Sequence, residues 1–256
     1  MSMGWAGPLV TVTFGDLDEG LWGAIWGATQ PAVAVGLVDG AHEGFAGATV
    51  VGSSATEEWR ISGQGLELVI APAGDPAALA SDSRSARFEQ LCRASGRYVL
   101  GGAERTVDCP GHRGWSEQAP DFARFESLRD VSAWFGTGDG IALRSLRPRK
   151  ARGHADDLLT AVVFEPDGPV AVADPRLSTT YTAAGAPARM NLELWIDQDE
   201  GSDDNGDRAQ YPRRVGGEAL GERWVGFSEG IEVQVVPLRC HSRGREGSGT
   251  YLLAGS

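Results

Sequence analysis

The sequence has few cysteines and no long apolar run, and each shortage excludes a class of protein. Three cysteines in 256 residues make an odd number, and none shows Cys-x-x-Cys spacing, which argues against a disulfide framework and a structural zinc site. No apolar run approaches 18 residues, and no basic-then-apolar segment opens the chain. We therefore expect no membrane span, no secretory signal and a cytoplasmic protein.

Positive charge is also scarce. The formal net charge is −12, and Lys150 is the only lysine. A phosphate backbone or an anionic membrane surface would repel such a chain. Nucleic acid is therefore not an expected partner.

Turns and short extended runs dominate what is present. The 36 glycines are scattered among short, partly alternating apolar segments, a pattern typical of many strands. The clearest hairpin is RYVLGGAERTVDC, with Gly101-Gly102 as its turn. The best helix candidate, residues 75–95, fits a strand about as well in its second half. Without regular helical crossovers, the sequence predicts a mainly β protein with antiparallel sheets.

Two segments of the chain resemble each other, which predicts a tandem arrangement. The matched residues are Phe14, Leu17, Glu19 and Trp22 against Phe125, Leu128, Asp130 and Trp134. Each segment is followed by glycine-rich apolar strands. We interpret this as an internal duplication with a join near Pro120, which gives an N-terminal β-unit at 1–118 and a C-terminal β-unit at 119–256.

The segment CPGHRGWSEQ, residues 109–118, concentrates the residues that carry chemistry. A histidine exchanges protons near neutral pH, and we expect Gly111 and Gly114 to permit a bend that aims His112 inward. Glu117 is the nearest carboxylate that shares the face of Trp115 in an extended chain, so His112 and Glu117 are the candidate catalytic pair. The alternative is that His112 and Arg113 fasten the hairpin end by bonding backbone carbonyls.

Tryptophan is abundant, with eight residues in the chain. Rings beside predicted strands would line a pocket for an apolar ligand, or they would plug the ends of small barrels. The candidate ligand-binding residues are Trp115, Trp22, Trp59, Trp134 and Trp195.

Metal and cofactor sites are not expected. The acidic run at 197–207 lacks the spacing and the closing glutamate of a calcium loop, so we interpret it as a solvated loop. Asp156 and Asp157 beside His154 lie in a segment that reads as an exposed loop. Glycine-rich segments are followed by strands rather than helices, which argues against nucleotide binding.

Three segments together resemble a known group of proteins. GRYVLGGAERTVDCPGHRGWS, SAWFGTGDGIAL and SRGREGSGTYLL are similar to segments of the AttH and carotenoid 1,2-hydratase (CrtC-type) superfamily. The resemblance implies two tandem lipocalin-like antiparallel β-barrels or half-barrels, each around an apolar pocket. Where hydratase-type members have a His-x-Trp-like arrangement, His112 and Trp115 here are separated by two residues.

The resemblance implies a cofactor-independent hydratase, isomerase or cyclase that acts on an apolar, isoprenoid-like molecule in a barrel pocket. The alternative is a lipocalin-like carrier that holds a hydrophobic molecule unchanged. A third alternative is a two-sheet sandwich that binds sugar through tryptophans at its surface. The sequence leaves the oligomeric state open.

Overall fold

The computed structural model describes residues 7–79, 86–196 and 212–255, which form nineteen β-strands. Within these ranges, a short 3₁₀ helix at His154–Asp156 is the only helix. The prediction of a mainly β fold is confirmed. The helix considered for residues 75–95 is wrong, because the described part of that segment is extended.

The first sheet is a closed antiparallel barrel. Its strands are β1 (Leu9–Asp16), β2 (Leu21–Gly27), β3 (Ala32–Val38), β4 (Ala41–Val51), β5 (Trp59–Gly63), β6 (Leu66–Pro72), β7 (Ala77–Ala78), β8 (Arg87–Leu100) and β9 (Ala103–Ser116). Eight strands form the ring, since β9 pairs with β1 and β8 pairs with both β9 and β6. The two-residue β7 pairs with the start of β8 outside this ring.

The second sheet is curled and open. Its strands are β10 (Phe125–Gly136), β11 (Asp139–Pro148), β12 (Leu158–Glu165), β13 (Gly168–Ala171), β14 (Asp174–Tyr181), β15 (Pro187–Trp195), β16 (Arg213–Ala219), β17 (Trp224–Ser228), β18 (Ile231–Ser242) and β19 (Arg245–Gly255). The path runs from β13 at one edge to β14 at the other, and β17 branches from β18. The chain is therefore two tandem lipocalin-like units, a barrel and a half-barrel. The division at residues 118 and 119 stays a prediction; β9 of the first sheet ends at Ser116, and β10 of the second begins at Phe125.

Strands at the centre of the molecule are buried on both faces. Along β1, Val10, Val12 and Phe14 belong to the core inside the barrel. Thr11 and Thr13 point the opposite way and are also buried, because the second sheet covers the outer face of the barrel. A separate apolar cluster between the sheets includes Trp22 and Leu252.

The two units pack in a reciprocal manner. In each sheet the first strand pairs with the last, β1 with β9 and β10 with β19. Across the interface β1 contacts β19, and β9 contacts β10. The hydroxyl groups of Thr13 and Ser132 lie 2.8 Å apart between the two first strands. This exchange of first and last strands matches an approximate two-fold relation between the units.

The repeat inferred from residue matches is wrong in its alignment. Phe14 lies on β1 and Trp22 on β2, on either side of a turn. Phe125 and Trp134 both lie on the single strand β10. The likeness between the units is therefore one of strand order rather than of these residues.

Two further expectations concern membranes and the acidic run. No helix among the described residues is long and apolar enough to cross a membrane. The acidic run at 197–207 lies outside the described residues.

The pairing of β1 with β9, which closes the barrel, can be tested at Gly111. A Cβ at Gly111 would lie 2.3 Å from the backbone oxygen of Thr13 on the paired strand. Two of the three nearest atoms are backbone atoms of β1, which leaves little room for relaxation, so we expect G111A to lower the free energy of unfolding by about 1–3 kcal/mol. Urea denaturation measures this change.

Gly153→Ala is the matched control for G111A. Gly153 has extended backbone, and a Cβ there would meet nothing within 4 Å. We expect this variant to unfold within about 0.5 kcal/mol of the wild type. Equal stability of both variants would show that β1 and β9 are not held at the spacing described.

Candidate functional site

Charged side chains of the two sheets meet at their interface. On β8 and β9, Arg87, Glu89 and His112 point out of the barrel, while the alternating Phe88 and Arg113 point into it. Arg87, Glu89 and His112 are 7%, 3% and 4% exposed. Charged groups are rarely buried to this degree unless they are paired, so their contacts decide what the site can do.

Glu89 bridges an arginine and the histidine. Its Oε1 accepts hydrogen bonds from Nε and Nη2 of Arg87, at 2.8 and 2.5 Å. Its Oε2 lies 2.9 Å from Nε2 of His112. Gly114 stands directly opposite Glu89, and a Cβ there would lie 2.3 Å from Oε2. The missing side chain of Gly114 is what lets the carboxylate lean across β9 towards His112.

The second sheet supplies the other half of the cluster. Asp130 stands opposite Arg144, and its two carboxylate oxygens accept from Nε and Nη2 of Arg144 at 2.7 Å each. Nη1 of Arg144 donates to the hydroxyl of Ser116 on β9, at 3.1 Å. In the reverse direction, Arg87 donates to the hydroxyl of Thr160, at 2.9 Å. Each sheet therefore contributes one arginine, one carboxylate and one arginine contact across the interface.

Glu89 is ionised at neutral pH. Burial alone would raise its pKa, but the positive charge of Arg87 and the contact with His112 outweigh that effect and hold the pKa well below its usual range. Burial and the neighbouring Arg144 lower the pKa of Arg87, yet a guanidinium stays charged at pH 7. Two arginines thus balance two carboxylates in the buried cluster.

His112 is held at the border between charged and apolar surroundings. Its ring centroid lies 6.4 Å from that of Phe164 on the second sheet. The Nε2 contact with Glu89 is short but not aligned as a hydrogen bond, and Nδ1 has no hydrogen-bond partner among the described residues. Nδ1 is therefore the nitrogen that is available to donate or accept a proton.

Arg113, the next residue, fastens the interior of the barrel. It is fully buried and donates to Oε1 of Gln90, at 2.9 and 2.7 Å. It also donates to the backbone oxygens of Ala55 and Glu57, at 2.6 and 2.8 Å, and its guanidinium lies 4.7 Å from the ring of Trp59. Of the two residues considered for a fastening role, Arg113 bonds backbone oxygens and the His112 ring does not, among the described residues.

The structure does not bring Glu117 to His112. Glu117 is exposed and accepts a hydrogen bond from the backbone nitrogen of Ala86, at 3.3 Å. Glu89 takes the position expected of Glu117. The expected bend at Gly111 and Gly114 is also absent from β9, because both glycines lie in regular strand.

The hairpin turn could have identified Glu89 from the sequence. Leu100 pairs with Ala103 across the Gly101-Gly102 turn, so paired positions sum to 203 throughout β8 and β9. His112 is then opposite Leu91, and Glu89 is its diagonal neighbour on the same face. Asp130 and Arg144 carry no comparable signal, because they reach the site only through packing between sheets.

The five tryptophans do not line one cavity. Trp59 and Trp115 belong to the barrel interior, where Phe88 stacks on Trp115 with centroids 6.3 Å apart. Trp22 and Trp134 lie between the sheets, and Nε1 of Trp134 donates to the backbone oxygen of Gly15 at 3.0 Å. Trp195 lies at the end of β15. All five are buried or half-buried, so they do not form the exposed sugar-binding surface considered as a third alternative.

Candidate metal ligands do not cluster in the ranges that the structure describes. No group of three or more His, Cys, Asp or Glu side chains is placed to hold an ion there. His154, Asp156 and Asp157 lie at the 3₁₀ helix, where Nδ1 of His154 is 3.5 Å from Asp157.

The buried charge of Glu89 makes stability depend on pH. In the unfolded chain Glu89 titrates near its ordinary pKa of 4.5, whereas in the folded chain its pKa is lowered. Its contribution is therefore present above about pH 4.5 and is lost as the pH falls below that value. E89Q leaves Arg87 without its charged partner, so we expect a loss of about 3–5 kcal/mol at pH 7.

Urea denaturation of the wild type and E89Q between pH 7 and pH 3 measures this dependence. The difference in unfolding free energy should shrink as the pH drops. Glu58→Gln, at an exposed position of the barrel, is the control and should change stability little at any pH. A difference between E89Q and the wild type that stays constant down to pH 3 contradicts an ionised, stabilising Glu89.

Comparisons with known proteins identify the fold. No family model matches the sequence, and no curated protein matches it. A putative AttH from Nitrosomonas europaea is similar in structure, with a TM-score of 0.60 and 11% identity over 98% of this chain and 92% of that one. CghA with Sch210972 gives a TM-score of 0.65 at 9% identity, over 97% and 88% of the two chains. CghA alone gives 0.66 at 10% identity, over 98% and 88%.

These likenesses extend over nearly the whole of this chain, and at such low identity they show the fold alone. The tandem lipocalin-like architecture implied by the resemblance to AttH proteins is confirmed.

Proposed function

We propose that the chain binds an apolar, isoprenoid-like small molecule and converts it without a cofactor, as a hydratase, isomerase or cyclase. The observation that carries this proposal is the buried His112, held against the ionised Glu89 with Nδ1 unpartnered among the described residues. A buried titratable pair of this kind is typical of functional sites. Glu89 replaces Glu117 as the proposed partner of His112.

The surroundings of His112 suit an apolar substrate. Beside the charged cluster lies an apolar cluster between the sheets that includes Leu91, Trp134, Val162 and Phe164. The aromatic faces of Trp134 and Phe164 would stabilise a developing carbocation. Since His112 points out of the barrel, the reacting part of the substrate would lie between the sheets rather than inside the barrel.

Acid–base chemistry at one nitrogen accounts for all three reaction types. Protonated His112 donates a proton to one alkene carbon, and the π electrons form the new C–H bond and leave a cation on the other carbon. For hydration, water forms the C–O bond and returns a proton to His112. For isomerisation, His112 instead takes a proton from a neighbouring carbon. For cyclisation, the π electrons of a second double bond form the new C–C bond and leave a cation on its other carbon, and the loss of a proton from a neighbouring carbon to His112 completes the reaction. Glu89 stabilises the protonated imidazole and does not itself react.

A second candidate function is a carrier that holds the molecule unchanged. Four clefts of about 390–570 Å³ are lined by described residues, and His112 lines none of these four. In a carrier, the buried charged side chains between the sheets would serve only to hold the two sheets together.

Two further observations bear on ligand and compartment. CghA, one of the similar structures, was solved with Sch210972, which supports a binding role for this chain by analogy of fold alone. Cys92, Cys109 and Cys240 are free and buried, which suits the proposed cytoplasmic location.

Apolar compounds extracted from the purified protein and identified by mass spectrometry give the candidate substrates. For an enzyme, H112A should lower turnover of such a compound by about 10²–10⁴-fold, the usual contribution of a general acid or base. E89Q should lower turnover as well, because Glu89 acts through His112. His42→Ala, at an exposed position on β4, is the control and should keep full turnover.

Stability and ligand retention separate the two functions. A structural His112 predicts that H112A lowers the free energy of unfolding by about 1–3 kcal/mol while the extracted ligand is still retained and no turnover is seen in the wild type. That result would establish the carrier and reject the enzyme. His112→Gln keeps a polar side chain of similar reach, so loss of turnover in H112Q without loss of stability assigns the proton transfer to the imidazole.

A further inference from the structure

A second polar site lies on the inner face of the half-barrel. A cleft of about 570 Å³ opens there, on the opposite side of β10 and β11 from Asp130 and Arg144. Its floor includes a cross-strand row in which Arg129 pairs with Ser145 and Ser145 pairs with Leu159. The next row, deeper in the sheet, is the apolar core.

Ser145 is a polar residue buried in this floor. It is 1% exposed, and its hydroxyl has no hydrogen-bond partner in the described part of the chain. On the neighbouring strand, the buried Nε of Arg129 also lacks a hydrogen-bond partner among the described residues. An unpaired buried donor costs about 1–3 kcal/mol, so two adjacent ones point to an acceptor that is brought by a ligand.

The two guanidinium groups at this floor share one buried carboxylate. Asp157 accepts from Nη1 of Arg129 at 3.2 Å and from Nη1 of Arg147 at 3.1 Å, so one buried carboxylate serves two guanidinium groups. Arg147 has a second partner in the exposed Glu126, at 3.3 Å, and Arg129 has only Asp157 among its described ion pairs. Arg129 therefore has room for one further acceptor, at its unpaired Nε.

Apolar side chains line part of the cleft beside its polar residues. Leu159 and Leu177 are half-buried, line the cleft and pack against the core of the half-barrel. At the mouth, Arg176 and Asp174 pair with each other at 2.8 Å and are exposed to solvent. A ligand that fills this space would have one anionic end and an apolar body.

We propose that this cleft binds a small carboxylic acid with an apolar body, whose carboxylate accepts hydrogen bonds from Arg129 and Ser145. Two donors at neighbouring positions on adjacent strands match the two oxygens of a carboxylate. The apolar body contacts Leu159 and Leu177. This site is separate from His112 and does not depend on any reaction there.

Isothermal titration calorimetry with decanoate tests the site on the full chain. We expect saturable binding with one decanoate per chain. Decanol has the same apolar body without the charge, and decyl phosphate carries a larger and more highly charged head group. Both should bind at least about tenfold more weakly than decanoate. Decanol cannot form the charge-assisted hydrogen bonds, and decyl phosphate brings more negative charge than the two donors can pair.

Two variants locate the binding. Arg129→Met keeps an unbranched apolar stem and leaves Asp157 paired with Arg147, so the chain should fold, and decanoate affinity should fall about tenfold or more. Arg189→Met, at an exposed position on β15, is the matched control and should bind decanoate as the wild type does.

Ser145→Ala separates binding from folding. Removal of an unpaired buried hydroxyl should leave the melting temperature unchanged or raise it, while decanoate affinity falls several-fold. The proposal is overturned if wild-type chain shows no saturable decanoate binding up to millimolar concentration. It is equally overturned if R129M and S145A both bind decanoate with wild-type affinity, which would place the decanoate elsewhere.

Discussion

The rest of the structure depends on keeping water away from four charges between the sheets. Arg87, Glu89, Asp130 and Arg144 lie at the interface, and an isolated charge there would cost several kcal/mol. Each arginine is held by a carboxylate of its own sheet and donates to a hydroxyl of the other sheet. These contacts form in only one relative position of the two sheets. The charged side chains therefore determine both the orientation of the two units and the distance between them.

Strict alternation along the strands is what makes this docking compatible with a packed barrel. Successive side chains of a strand point to opposite faces. Each central strand therefore has one set of side chains inside its own barrel or half-barrel and the other set between the two sheets. His112 and Arg113 show the result most clearly. The imidazole lies between the sheets beside Glu89, while the guanidinium lies inside the barrel and satisfies backbone oxygens. The group proposed to transfer protons and a structural group are thus neighbours in sequence without competing for space.

The sequence predicted the fold and drew attention to His112, but it did not predict the other residues of the charged cluster. The glycine-rich turns and apolar alternation are local, so the hairpin of β8 and β9 could be predicted from its Gly101-Gly102 turn. Glu117 was the nearest carboxylate along the chain, whereas cross-strand register decides which carboxylate is near in space. Asp130 and Arg144 lie beyond any local signal, because no short motif states how two sheets pack.

The reciprocal packing of the units gives the interface a built-in asymmetry. Thr13 pairs with His112 and Ala24, and its counterpart Ser132 pairs with Thr250 and Ala142. The residue that corresponds to His112 in the second unit is therefore Thr250, whose side chain does not titrate near neutral pH. At these matched positions, the pairing of first and last strands therefore presents an imidazole from one unit and a hydroxyl group from the other.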